Sequence, residues 1–151
     1  MNAPLIRLDN IRKIYRTSAG TVNALDGVSL SIDSGDFLAV LGQSGSGKTT
    51  LMNVLGCLDS PTSGRYLLSG ENVAGMPDSR LSGIRNRQIG FIFQSFNLIP
   101  TLTALENVEL PLLYRRVGPN ARRKAAMRAL EQLGLGRRML HYPRQLSGGQ
   151  Q

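Results

Sequence analysis

An unbroken apolar run, Phe37-Leu38-Ala39-Val40-Leu41, leads directly into Gly42-Gln43-Ser44-Gly45-Ser46-Gly47-Lys48-Thr49. The run predicts a central strand covered on both faces. The residues from Thr49 to Leu55 predict a helix, and the eight between match G-x-x-x-x-G-K-[ST] without exception. Glycines let the backbone curl so that successive N–H groups face inward. The helix then presents its free first-turn donors and the positive end of its dipole. Gly42, Gln43, Ser44, Gly45, Ser46, Gly47, Lys48, Thr49 and Thr50 are therefore candidate nucleotide-binding residues. Lys48 is expected to reach the β- and γ-phosphates, and the Thr49 hydroxyl to ligate Mg²⁺. The competing reading is a glycine-rich strand–helix turn without a ligand. Against it stand the complete motif and its position between a buried strand and a helix. Kinases, GTPases, motors and transport ATPases all share this motif; the lack of an Asn-Lys-x-Asp stretch favours ATP over GTP.

Several classes can be set aside. With 151 residues, 41% of them hydrophobic, the chain can bury a core. No apolar run approaches the roughly 18–20 residues of a spanning helix. The N-terminal Met1-Asn2-Ala3-Pro4-Leu5-Ile6-Arg7 lacks the apolar segment of a secretory signal. One cysteine, Cys57, rules out an internal disulfide and suits a reducing compartment; it reads as a small buried apolar residue rather than a reactive thiol. The expected setting is cytoplasmic. The formal charge of +8 comes from Arg115 to Arg144, where nine basic residues face Glu131 alone. Such a block fits nucleic acid, an acidic partner or headgroups; with few aromatics, the plainer reading is a solvated helix face.

Leu5–Leu8, Val28–Ile32, Tyr66–Leu68 and Ile89–Phe93 read as further strands. Thr103-Ala104-Leu105-Glu106 has capping-box spacing and predicts a helix that Pro111 bends or ends. Pro119 suits a first helical position, and Ala121–Leu133 keeps helical periodicity until Gly134. A strand-rich part is thus followed by a helical part.

At the end of the chain, Leu146-Ser147-Gly148-Gly149-Gln150 is identical to the signature of ATP-binding-cassette (ABC) ATPases. Phe93-Gln94 after an apolar stretch resembles that family's Q-loop, and Tyr15, upstream of Val22, resembles the aromatic residue on which adenine stacks. Leu55-Gly56-Cys57-Leu58-Asp59-Ser60-Pro61-Thr62-Ser63-Gly64, Ile89–Pro100 and Thr103–Val108 look like the ATPases of lipoprotein-releasing and macrolide-export transporters. The resemblance implies an α/β P-loop NTPase core with an antiparallel β subdomain and a helical subdomain. The nucleotide-binding part would be 1–94 and the Q-loop continuation with the helical subdomain 95–151. It implies ATP and Mg²⁺ as ligands, with Tyr15 and Val22 at the base, and Lys48 and Gln94 in catalysis. Thr49 and Gln94 would be at the metal, and Gln94 would also sense the membrane subunit; as a plain loop glutamine it would leave nucleotide binding intact. The implied partners are a second ATPase subunit in head-to-tail array and integral membrane permease subunits. Ser147, Gly148, Gly149 and Gln150 would hold the γ-phosphate of the partner's ATP. The implied location is the cytoplasmic face of the inner or plasma membrane, with no nucleic-acid partner.

The family's hydrolysis also requires an apolar strand ending Asp-Glu and a later switch histidine. Asp33, Asp36 and Asp59 follow no such strand, and His141 precedes the signature and reads as a helix-end residue. In family order both elements would follow Gln151, so the expectation is a core lacking its C-terminal part and a 151-residue chain that does not itself turn over ATP. Two alternatives stay open: a catalytically dead remnant, and a non-transport ABC ATPase that uses the basic block as a contact surface.

Overall fold

The computed structural model describes residues 3–18 and 20–151; Met1 and Asn2 of the N-terminal reading lie outside the described residues, as does Ala19. The chain divides into two compact units, Met1–Ile89 and Gly90–Gln151.

The first unit is built on one long hairpin. Strands β1 (Ile6–Thr17) and β2 (Gly20–Ile32) pair antiparallel, β3 (Ser63–Leu68) pairs with the other edge of β1, and the short β4 (Glu71–Asn72) closes the order β2-β1-β3-β4. Both hairpin strands outrun the segments predicted from periodicity. The reason lies in three register shifts, after Leu8, after Ile11 and after Lys13, which break the alternation that would reveal a strand. At the first, Asn10 takes φ +51° and its N–H donates to Ser29 Oγ at 2.9 Å. Gly64 of β3 lies against this bulge: a Cβ there would fall 2.5 Å from the Asn10 carbonyl oxygen and 2.8 Å from Ile11 Cα, so only glycine lets the strands approach.

Helix α1 (Lys48–Leu55) and helix α2 (Asp78–Gln88) complete this unit. Leu8 and Ile11 of β1, Leu25 of β2, Val54 of α1, Tyr66 of β3 and Leu81 of α2 are all buried in one cluster. Each such aliphatic side chain contributes about 1.5–3 kcal/mol. The Tyr66 hydroxyl donates to the Leu55 carbonyl at 2.7 Å, fixing the last turn of α1 to β3.

Phe37–Leu41 and Ile89–Phe93 depart from expectation. Neither forms a strand, and the only sheet among the described residues is the four-stranded one. An apolar run becomes a strand only when neighbours take its N–H and C=O groups; here Phe37 and Ile92 are 97% and 103% exposed.

The second unit is helical. Helix α3 (Ala104–Tyr114) opens with the predicted capping box: Thr103 Oγ1 accepts from the Glu106 N–H at 3.3 Å, and the Thr103 N–H donates to Glu106 Oε2 at 2.8 Å. Pro111 does not end it. The helix continues to Tyr114 and closes beyond, where the Val117 N–H returns to the Leu112 carbonyl and the Arg116 N–H to that of Leu113, with Arg116 at φ +59°. Helix α4 (Pro119–Gln132) takes Pro119 in its first turn and ends at Gly134 in the same pattern, Leu135 N–H to Leu130 O and Gly134 N–H to Glu131 O. Ala104, Leu105, Ala126, Leu130 and Leu146 form its core. Two 3₁₀ turns, Gly136–Arg138 and Pro143–Gln145, carry the chain to its last residues.

Candidate nucleotide site

The residues after Leu41 form the loop that the motif requires. Gly47 stands at the N-cap of α1 with φ +88°, and no side chain caps the helix. The first helical return bond is Leu51 N–H to Gly47 O at 2.8 Å, so the earlier first-turn amides have no partner within the helix. A Cβ on Gly47 would lie 2.4 Å from the Ala24 carbonyl oxygen, a contact with the backbone of β2. The Lys48 ammonium is folded onto its own loop, donating to the carbonyls of Gly42 at 2.7 Å and Gln43 at 2.5 Å, and it lies 3.4 Å from Ser46 Oγ. A cation held beside the uncapped first turn of a helix suits an anionic, phosphate-like group.

Beside the loop is a cleft of about 510 Å³. It is lined by Ser44, Gly45, Gly47, Lys48, Thr49 and Thr50 together with Val22, Asn23 and Ala24 of β2. Val22 pairs with Tyr15 across the hairpin, so the two candidate base-contact residues are neighbours, although only Val22 is among the residues that line the cleft. Tyr15 is itself held: its hydroxyl donates to Asp59 Oδ2 at 2.7 Å, and the Lys13 ammonium sits 4.9 Å over its ring. Lys13 also donates to Asp59 Oδ1 and, at 2.8 Å, to the Ser60 carbonyl. Burial pushes the Asp59 carboxyl up, but hydrogen bonds from Lys13 and Tyr15 outweigh it and hold the group below its ordinary value of 3.8. The Tyr15 phenol moves upward, chiefly because its hydroxyl is bonded to Asp59. Nothing in the sequence singles out Lys13, and Asp59 is weighed there only as an acidic residue that follows no apolar strand; the two are 46 residues apart, and no local signal joins them.

The other candidates belong to the second unit. Gln94 occupies a turn with Ser95. Ser147–Gln150 forms a single turn in which the Gln150 N–H returns to the Ser147 carbonyl at 2.8 Å and the Ser147 N–H reaches Gln150 Oε1 at 3.0 Å. Phe96, at φ +58°, brings its ring edge to this turn: its Cζ lies 3.6 Å from where a Gly148 Cβ would be. His141 follows a 3₁₀ turn as a helix-end residue, its Nε2 2.9 Å from Arg138 Nη1, and its carbonyl accepts from the first amide of α3.

The family model described as ABC transporter matches residues 25–151. The chain belongs to the ABC transporter family. Among similar ABC proteins is the uncharacterized ABC transporter ATP-binding protein YknY of Bacillus subtilis. It is 49% identical over 146 residues, which cover 97% of this chain and 64% of that protein. The macrolide export ATP-binding/permease protein MacB of Brucella abortus is 54% identical over 149 residues, 99% of this chain and 23% of that protein. A solved structure of the ATP-binding cassette MJ0796, a dimeric post-hydrolysis state bound to ADP and Pi, superposes with a TM-score of 0.84 at 44% identity. It covers 96% of this chain and 64% of that one. The chain therefore has the ABC ATPase fold, as its sequence predicts, and spans under two thirds of the length of these relatives. Among the described residues no helix is long and apolar enough to cross a membrane.

Proposed function

We propose that these residues are the Mg-ATP-binding part of a transporter ATPase that powers export or lipoprotein release by separate permease subunits. The observation that carries this reading is the Gly47–Lys48 geometry: a left-handed glycine opens an uncapped helix, and the lysine is folded into the loop beside a cleft. Family membership supports it, as does a 44% identical cassette seen with ADP and Pi.

In this reading the backbone amides from Gly42 to Thr50 cradle the phosphates, and Lys48 exchanges its loop carbonyls for β- and γ-phosphate oxygens. Val22 and Tyr15 receive the base. The Thr49 hydroxyl sits in the open first turn of α1, and a hydroxyl oxygen suits a hard cation such as Mg²⁺; Gln94 offers the second oxygen. When bound, Mg²⁺ would neutralise charge between the β- and γ-phosphates. We place the functional division at Gln94, with 1–94 as the nucleotide-binding part. Ser147, Gly148, Gly149 and Gln150 serve the nucleotide of a second ATPase subunit arranged head to tail. That a related cassette is dimeric and related exporters carry a permease in the same protein supports both partners. The complex would sit at the cytoplasmic face of the membrane. We assign nucleotide binding to these residues, and the general-base step to none of them.

Calorimetric titration of the chain with Mg-ATP tests the reading. Lys48→Ala is expected to weaken binding at least tenfold. Unchanged affinity overturns the assignment of this loop to phosphate.

A further inference from the structure

The contacts that join Lys13, Tyr15 and Asp59 have been given no role above, yet they tie the candidate base platform to the segment that follows α1. Lys13 and Tyr15 are two residues apart on β1 and so share a face. It is the face that carries buried Ile11 toward the core. Asp59 comes from the segment that follows α1, and it is half-buried, with 28% of its side chain exposed; the Lys13 side chain is 13% exposed. One carboxylate oxygen takes the Tyr15 hydroxyl and the other the Lys13 ammonium, which in turn lies over the Tyr15 ring. The neighbouring segment reinforces the tie. The Thr62 N–H donates to the Arg12 carbonyl at 2.8 Å, and the Ile14 N–H to Thr62 Oγ1 at 3.0 Å.

The ring is thus constrained at two points, its hydroxyl and one face. A base has only the opposite face to use. Across the hairpin from Tyr15 is Val22, which lines the cleft together with Thr49 and Thr50. The phosphate loop opens α1, and Asp59 lies just past its end. One carboxylate therefore links the aromatic platform to the helix that presents the phosphate cradle.

We propose that Asp59 is a positioning residue for base recognition: with Lys13 it fixes the hydroxyl and one face of the Tyr15 ring, leaving the other face for the base of a purine nucleoside triphosphate. This rests on the reading of Tyr15 and the loop given above. Asp59 itself touches no nucleotide; it acts through Tyr15. Its loss should therefore cost affinity only for ligands that carry a base.

The experiment titrates the full chain with two probes, Mg-ATP and Mg-tripolyphosphate, which share the phosphates but not the base. Asp59→Asn is expected to weaken ATP about five- to tenfold, toward the lower end of what base–aromatic stacking yields, and to leave tripolyphosphate within about twofold. Tyr15→Leu should do the same, and the double variant should be no weaker than Tyr15→Leu alone. If Asp59→Asn weakens both probes equally, Asp59 is merely structural and the proposal falls. If it weakens neither while Tyr15→Leu weakens ATP, the proposal falls and the reading of Tyr15 survives. If Tyr15→Leu leaves ATP binding intact, the base-contact reading fails, and the proposal with it. If the unaltered chain binds neither probe, the phosphate-loop reading itself is wrong. Should Asp59→Asn not fold, Tyr15→Phe keeps the ring and removes only the hydroxyl that reaches Asp59; it is expected to show the same selective loss for ATP, and an unchanged ATP affinity overturns the proposal.

Discussion

Replacing Gly47 with alanine places two separable strains on one position. The first is conformational. Gly47 has φ +88°, and a residue with a Cβ pays about 1–2 kcal/mol in the left-handed region. The second is steric: the new Cβ would lie 2.4 Å from the Ala24 carbonyl oxygen. That oxygen belongs to the backbone of β2, so no side chain can rotate away, and forced overlaps of this kind cost about 1–3 kcal/mol. Gly45, two residues earlier, isolates the first strain, because it has φ +80° and nothing within 4 Å of its added Cβ. Gly47→Ala should therefore be less stable than Gly45→Ala by about 1–3 kcal/mol. At roughly 2–4 °C per kcal/mol for a chain of this size, that is about 2–12 °C in melting temperature. Thermal melts of both variants, followed by far-ultraviolet circular dichroism, make the comparison. Equal melting temperatures would refute the claim that β2 sets the position of the phosphate loop.

Other outcomes follow from single contacts. The depressed Asp59 pKa stabilises the fold above about pH 4, the usual unfolded value, and that contribution is lost as pH falls through the folded value. The melting-temperature gap between the unaltered chain and Asp59→Asn should thus narrow from pH 6 toward about pH 3; a gap that stays constant would count against the ion pair. Thr103→Ala removes the acceptor of the α3 capping box and should cost about 1 kcal/mol, read as loss of melting temperature; no change means that the cap is idle. Cys57 is buried, and desolvation pushes its thiol pKa up. Iodoacetamide at pH 7 should therefore label the native chain slowly and the denatured chain fully; fast native labelling would show that the first unit's core opens readily.

What the sequence made legible was local. The phosphate loop lies in eight consecutive residues, the α3 cap in four, and the end of α4 in one glycine. Helix α2 went unseen because only Leu81 and Ile84 of its eleven residues are buried, too few to mark a face. The strands predicted at Phe37–Leu41 and Ile89–Phe93 illustrate the opposite limit. Apolar content marks a segment that could enter a sheet, while a strand also needs a neighbour to bond. In the candidate site, glycines and Lys48 declared themselves by spacing. The Lys13–Asp59 pair did not, since the hairpin and the segment after α1 meet only once both have folded.

The bulge at Asn10 has a consequence for how the gene can vary. Leu8 and Ile11 are three apart, so in an unbroken strand they would point to opposite sides; the extra residue between them puts both in the core, and sets Lys13 and Tyr15 on that same side. It works as a phase correction within the strand. An in-frame loss of one codon between Leu8 and Ile11 would leave the reading frame and the sequence of the phosphate loop untouched. It would nevertheless rotate Tyr15 to the outer surface, a frameshift written in geometry.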